Sequence, residues 1–154
     1  MSIEIVEQFE VEQSPGQVWD FLVDPARVVR CLPGARLVEV TDERTFRGEV
    51  GIRLGPFSAA FTGTIHFDIL DRENHRVAMS GEGRDARNIG AVAMSLDSTL
   101  MEREGGGTLV SVLLKVRLAG RLAAFYWGPL IRNAAHRVFR RFTACVAATL
   151  ARTG

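Results

Sequence analysis

Trp19-Asp20-Phe21-Leu22-Val23-Asp24-Pro25-Ala26-Arg27-Val28-Val29-Arg30-Cys31-Leu32-Pro33-Gly34-Ala35 is the stretch that decides the fold. Upstream of it, Ser14-Pro15-Gly16-Gln17 predicts a helix start, with serine as the N-cap, proline at the first helical position and glutamine completing a capping box. Asp24-Pro25 repeats the cap and proline of a helix start, and Pro33-Gly34 is predicted to end this second helix. Two short helices this early in a chain otherwise rich in strands indicate a curved sheet folded around an interior space.

Strand patterns lie on both sides of these helices. Ile3, Ile5, Phe9 and Val11 alternate with Glu4, Glu10 and Glu12, which is typical of a half-buried strand. Six further runs with apolar residues at alternate positions follow Ala35, at about 37–40, 46–54, 57–69, 77–83, 92–96 and 110–118. The turns between them are short, so neighbouring strands are predicted to be antiparallel. In the longest run, Phe57, Ala59, Phe61, Ile65, Phe67 and Ile69 are expected to share one face.

The last part of the chain has the period of a helix. One stripe is apolar and includes Ile131, Ala134, Val138, Phe142 and Val146. From Pro129 to Arg152 such a helix is about 36 Å long at the usual rise, which is enough to lie across a whole sheet. A second stripe is basic: Arg132, His136, Arg137, Arg140 and Arg141.

Composition limits the classes of protein to consider. The 154 residues are 47% hydrophobic and 24% charged, which is typical of one globular domain over residues 1–154. The net charge of +1 gives no reason to expect nucleic acid. However, six arginines and no acidic residue lie between Leu118 and Gly154, which favours a local partner for this region.

Several features predict a cytoplasmic protein. The acidic, alternating N-terminus is unlike a signal peptide. The uncharged run Leu122–Ile131 is ten residues long, too short to span a bilayer. Cys31 and Cys145 lie far apart in sequence without the spacing of metal ligands, so we expect two free thiols in a reducing compartment.

A set of short motifs covers nearly the whole chain and resembles a known family. The order of elements is similar to the helix-grip fold of the START/SRPBCC superfamily, and the motifs resemble its CoxG-like branch, a family of carbon monoxide dehydrogenase subunits. The Asp-Pro…Cys-Leu-Pro-Gly spacing is the most specific of them. The motifs are Val18-Trp19, Asp24-Pro25, Cys31-Leu32-Pro33-Gly34-Ala35, Leu54-Gly55-Pro56, Phe61-Thr62-Gly63, Gly81-Glu82-Gly83-Arg84-Asp85 and Gly120-Arg121-Leu122-Ala123.

The resemblance implies an α+β fold in which a curved, seven-stranded antiparallel sheet wraps around a long C-terminal helix. It also implies an apolar cavity between the two, two short helices after the first strand, and a bound quinone or other apolar small molecule. Members of the family are associated with molybdenum-containing dehydrogenases, which they are thought to recruit to the cytoplasmic membrane. The expected partners are therefore an apolar molecule, a molybdenum hydroxylase-type dehydrogenase and the inner face of the membrane.

The predicted cavity residues surround this space. Leu32 and Pro33 are expected at its mouth, opposite Phe125, Tyr126 and Trp127. The Tyr126 hydroxyl or the Trp127 N–H is suited to a hydrogen bond with a ligand carbonyl. The other predicted lining residues are Phe61, Met79, Met94, Leu96 and Ile131. The alternatives are that the aromatic cluster only docks the last helix and that the remaining residues are plain core.

Two further predictions concern the surface and catalysis. Arg132, Arg137, Arg140 and Arg141 would suit an acidic partner or anionic lipid headgroups, and the alternative is a solvated helix face. His66, His75 and His136 are all expected at the surface, so no nucleophilic triad can be assembled and a non-enzymatic protein is predicted.

The alternatives to this function are a cyclase or hydratase, as found among related helix-grip proteins, or an interaction domain with a filled core. For an enzyme, Asp97 and Tyr126 are the acid or base candidates. The strand glycines Gly48, Gly51, Gly63, Gly81 and Gly83 indicate either sharp curvature or room for a bound molecule, with a bend or bulge expected at Gly81–Gly83.

Overall fold

The computed structural model describes residues 2–54, 57–124 and 128–153 of the chain. Seven strands and three α-helices make up this part of the protein, with a short 3-10 helix before the last α-helix. The elements in chain order are β1 (Ser2–Val11), α1 (Pro15–Leu22), α2 (Pro25–Val29), β2 (Ala35–Val40), β3 (Thr45–Leu54), β4 (Phe57–Asp71), β5 (Arg76–Asp85), β6 (Gly90–Glu102), β7 (Thr108–Gly120), the 3-10 helix Arg121–Ala124, and α3 (Gly128–Thr153).

The two short helices begin where local sequence signals predict them. The Ser14 hydroxyl accepts a hydrogen bond from the Gln17 amide, and the Gln17 side chain accepts one from the Ser14 amide, which completes the capping box. The Asp24 carboxylate accepts a bond from the Ala26 amide at 3.1 Å and caps α2. However, α2 ends at Val29, before Pro33-Gly34, because residues 30–34 form tight turns instead of continuing the helix.

All seven strands form one antiparallel sheet, as predicted, and the strand order is β1-β7-β6-β5-β4-β3-β2. Of the bend or bulge predicted at Gly81–Gly83, the bulge is wrong, because both glycines pair in regular register with β4. The register shift between these strands lies instead between Phe67 and Ile69. An extra residue on one strand reverses the faces beyond it, so Leu70 packs against the core where the simple alternation predicted Ile69.

The core consists of two clusters under the inner face of the sheet. The larger cluster contains the buried indole of Trp19 from α1. It also contains Phe142 of α3, whose ring packs edge-on against Phe9 of β1. The smaller cluster lies near the N-terminal end of α3, around Phe61 and Ala134. With 26 residues, α3 is about 39 Å long and reaches both clusters.

A disulfide joins Cys31, just after α2, to Cys145 in α3, with 5.4 Å between the Cα atoms. The prediction of two free thiols is therefore wrong. The two cysteines are 114 residues apart in sequence, and only the packing of α3 beside α2 brings them within the range that a disulfide requires. In the part of the chain that the structure describes, no helix combines the length and hydropathy needed to cross a membrane.

Candidate ligand-binding site

A cavity of about 460 Å³ lies between the inner face of the sheet, α2 and α3. All seven strands contribute residues to its wall, mostly at alternate positions, because side chains at every second position of a strand point to the same face. On α3 the lining residues are Ala135, Val138, Phe139 and Phe142, which follow the apolar stripe of the helix. Most of the lining side chains are aliphatic or aromatic, so the cavity suits an apolar molecule.

Strand β6 shows the length of the cavity and where it ends. Val92, Met94, Leu96 and Ser98 line it in turn, which corresponds to about 20 Å along the strand. The next residue on that face, Leu100, is buried in the larger core cluster and is not part of the lining. Along β6, Ser98 is therefore the last lining residue before the larger core cluster.

Most of the residues predicted to bind a ligand lie on this wall. Leu32, Pro33, Phe61, Met79, Met94 and Leu96 all line the cavity. Ile131 does not; it packs against the smaller core cluster, because the apolar stripe of α3 extends one turn beyond the cavity. Phe125, Tyr126 and Trp127 lie outside the described residues. Contact between any of these side chains and a ligand stays a prediction.

Glu7 is an inward-facing carboxylate that the sequence-based search for site residues missed. It occupies the inner face of β1 between Ile5 and Phe9, and all three line the cavity. Its side chain is 18% exposed, and its Oε1 atom lies 2.6 Å from Nδ1 of His136 on α3, which is 60% exposed. The alternating pattern of β1 could have identified Glu7, because this residue occupies an inward position of the pattern.

Ser98 is another polar residue of the wall. The residue is 3% exposed, and its hydroxyl has no hydrogen-bond partner among the residues that the structure describes. Its neighbours across the sheet are Val77 on β5 and Val112 on β7, which are both apolar. A buried hydroxyl without a described partner thus lies at an inward position of an apolar wall.

Asp97, predicted as a catalytic candidate, lies elsewhere. Its carboxylate binds the Arg76 guanidinium at 2.7 Å, with both side chains partly exposed, and it does not line the cavity. The hydrogen bond to Asp97 raises the pKa of Arg76 above its ordinary value, as expected for an ion pair. Ser98 is the residue of β6 that faces inward here, since neighbouring residues of a strand point to opposite faces. Tyr126, the other candidate, is outside the described residues.

The histidines differ in how exposed they are. His66 is exposed and hydrogen-bonds Thr45 at 2.9 Å, as predicted for a surface residue. His75 is only half-buried in its turn, where its ring packs against that of Trp19. No group of histidine, cysteine or acidic side chains in the described part of the chain has the arrangement of a metal site.

An open groove of about 490 Å³ adjoins the cavity between α3 and β3; we call it the vestibule. It shares Pro33, Ile52 and Val138 with the cavity wall. Three arginines stand around it: Arg53, Arg137 and Arg141. Arg137 donates a hydrogen bond to the Arg53 carbonyl at 3.2 Å, and none of the three forms an ion pair within the described residues.

The arginines of the basic stripe predicted for α3 therefore lie at different surfaces of the protein. Arg137 and Arg141 line the vestibule, together with Arg53 from β3. Arg132 instead donates to the Glu4 carbonyl at 2.8 Å, beside β1. Arg140 is exposed and lines neither the vestibule nor the cavity.

Gly34 forms the floor of the vestibule, which explains the glycine of the Pro33-Gly34 motif. Its φ angle is +80°, and its carbonyl accepts a hydrogen bond from the Gly51 amide at 2.9 Å. A Cβ at residue 34 would overlap the Gly51 carbonyl oxygen. Only glycine combines this backbone conformation with such a close contact.

Comparisons with known proteins agree with this architecture. The CoxG family of carbon monoxide dehydrogenase subunits matches residues 8–151. No curated protein sequence matches the chain. Among solved structures, a conserved protein from Geobacillus kaustophilus aligns with a TM-score of 0.83 at 16% identity, covering 99% of this chain and 97% of the other.

Two further solved structures share this fold. The Zhui aromatase/cyclase from Streptomyces sp. R1128 aligns with a TM-score of 0.71 at 13% identity, over 99% of this chain and 95% of the other. A START superfamily protein from Mycobacterium smegmatis aligns with a TM-score of 0.66 at 11% identity, over 98% and 99%. At such identities the likeness shows the fold alone, which is the helix-grip fold of the START/SRPBCC superfamily.

Proposed function

The chain belongs to the CoxG family of carbon monoxide dehydrogenase subunits, and from this premise we propose that it carries a quinone-like molecule as the accessory protein of a molybdenum-containing dehydrogenase. The observation that supports the cargo is the 460 Å³ cavity, whose wall extends about 20 Å along β6 and consists mostly of apolar residues. Volumes of this order are typical of sites that enclose a small organic ligand.

The physical basis of binding is burial of apolar surface. Each Å² of apolar ligand surface removed from water contributes about 25 cal/mol. A quinone ring with part of an isoprenoid chain has several hundred Å² to bury. Met79 and Met94 have flexible, unbranched side chains that adapt to irregular ligand shapes.

The positive charge of the vestibule supports it as the surface at which a partner docks. Arg53, Arg137 and Arg141 present positive charge at the side where the cavity adjoins the groove. Anionic lipid headgroups on the inner face of the cytoplasmic membrane, or an acidic patch of the dehydrogenase, would complement this charge. In this proposal the cargo enters and leaves through the vestibule while the protein is docked.

Binding is tested with a variant that obstructs the cavity. Leu96→Trp places an indole on the lining at the centre of β6 and should lower the affinity for a menaquinone analogue at least about tenfold. Val6→Trp is the matched control, because Val6 is 72% exposed on the outer face of β1. Equilibrium dialysis measures both. A wild-type protein that binds no quinone analogue, or equal binding by Leu96→Trp, contradicts the proposal.

A second candidate function follows from Glu7 on the cavity wall and its partner His136 on α3. A carboxylate held by a histidine beside an apolar pocket is an arrangement that could move a proton, and the fold is shared with an aromatase/cyclase. The two functions differ in the fate of the bound compound. A carrier returns it unchanged after prolonged incubation, as mass spectrometry would show. Conversion that Glu7→Gln abolishes would instead establish an enzyme.

A further inference from the structure

The Ser98 hydroxyl is a polar group in an otherwise apolar stretch of the cavity wall. Burying a hydroxyl without a hydrogen bond destabilises a folded protein, and an apolar side chain of similar size avoids this cost. The other lining residues of β6, Val92, Met94 and Leu96, are all apolar. No described contact of the free protein therefore accounts for serine at residue 98.

An ordered water is a poor explanation for this serine. A buried water needs two to four polar partners to be retained. The other buried side-chain atom without a partner in the described residues is Oδ1 of Asp85, and Asp85 does not line the cavity. The nearest cross-strand neighbours of Ser98 are valines, whose backbone groups belong to the sheet.

We propose that Ser98 is the hydrogen-bonding subsite for an oxygen atom at the leading end of the ligand. This inference rests on the proposed function and deepens it, since it names the ligand class: a largely apolar molecule with a carbonyl or hydroxyl group on the ring that enters first. The oxygen-bearing ring lies at the end of the cavity beside the larger core cluster, and the apolar tail extends toward the arginines of the vestibule.

A serine hydroxyl is suited to both redox states of a quinone. It donates a hydrogen bond to the carbonyl oxygen of the oxidised form and accepts one from the hydroxyl of the reduced form. No proton needs to be transferred in either case. A ring bound at this end is enclosed by the larger core cluster, so the cargo is shielded until it is released.

The test compares two probes of nearly the same shape. The first is 2-methyl-1,4-naphthoquinone, and the second is 2-methylnaphthalene, which lacks both oxygens. Ser98→Ala should weaken binding of the quinone about five- to tenfold, the loss expected for one hydrogen bond, and should leave binding of the hydrocarbon unchanged. Ser95→Ala is the matched control, because Ser95 is an exposed serine on the opposite face of the same strand.

The thermal midpoint of the ligand-free protein provides a second readout. Removing an unsatisfied hydroxyl should leave the midpoint equal to that of the wild type or raise it, whereas a serine needed for structure would lower it. Quinone binding by Ser98→Ala at wild-type affinity overturns the inference while the carrier function stands. If the wild-type protein binds neither probe nor any longer quinone analogue, the proposed function itself is wrong.

Discussion

Cys31 and Cys145 join the two sides of the ligand cavity through a disulfide bond. Cys31 directly precedes Leu32, which lines the cavity, and Cys145 lies in α3 one turn after the lining residue Phe142. The bond holds the segment after α2 against the last helix. The position of this wall of the cavity therefore depends on a covalent link as well as on packing.

We predict that Cys145→Ala lowers the free energy of unfolding by about 4 kcal/mol, because opening a loop of more than 100 residues restores much conformational entropy to the unfolded chain. Urea unfolding followed by circular dichroism measures this loss. Reducing agent should destabilise the wild-type protein by a similar amount and have little further effect on the variant. Equal stability of both oxidised proteins would contradict this prediction.

The glycine of the Pro33-Gly34 motif gives a second prediction. Gly34→Ala should lower the free energy of unfolding by about 2–3 kcal/mol, because the new methyl group meets the Gly51 carbonyl and the φ angle of +80° strains any residue with a Cβ. Gly16→Ala is the control, since a Cβ at residue 16 in α1 meets no atom within 4 Å. That substitution should be neutral or stabilise by up to about 1 kcal/mol. Thermal and urea unfolding should therefore show the stabilities of the two variants changing in opposite directions, or only the stability of Gly34→Ala changing.

The arginines of the vestibule give a third prediction. In the double variant Arg137→Gln, Arg141→Gln, binding to vesicles that contain phosphatidylserine should fall about tenfold or more, since each arginine near an anionic surface contributes about fivefold. Arg140→Gln removes one charge from the same helix outside the vestibule and should reduce binding much less. Vesicle sedimentation at low salt and at about 0.5 M salt measures both effects. A loss of about fivefold in Arg140→Gln, the full effect of one charge, would show that net charge, and not the vestibule, determines binding.

The parts of the fold that local chemistry determines could be predicted from the sequence. A cap such as Ser14 with Gln17, or Asp24 before Pro25, acts within one helical turn and leaves a direct signature. Alternation likewise identifies strands, because the faces of a strand depend only on neighbouring residues. The order of elements predicted from these patterns resembles the helix-grip fold, and that resemblance supplied the wrapping of the sheet around the last helix.

Features that depend on tertiary contacts could not be predicted in this way. The bulge after Phe67 shifts the register by one residue, and no glycine or proline in that stretch marks it. Cys31 and Cys145 look unrelated until α3 is packed beside α2. Ile131 shares the stripe of the lining residues, but the helix extends past the end of the cavity, which periodicity cannot show.

Phe142 connects stability with cavity size and gives the fourth prediction. Its ring is buried, lines the cavity and packs edge-on against Phe9 at 6.1 Å. Phe142→Ala should lower the free energy of unfolding by about 3–5 kcal/mol, since the ring loses its contacts and leaves a void. The void adjoins the existing cavity, so the variant should gain affinity for quinone analogues with bulkier rings relative to smaller ones.

Val146→Ala is the matched control for this prediction, because Val146 is fully buried one turn later in α3 but does not line the cavity. It should lose stability on the order of 2 kcal/mol without changing the order of ligand affinities. Unfolding curves and equilibrium dialysis with two analogues of different ring size measure both properties. If Phe142→Ala loses stability but keeps the wild-type order of affinities, the ligand does not occupy the part of the cavity beside α3.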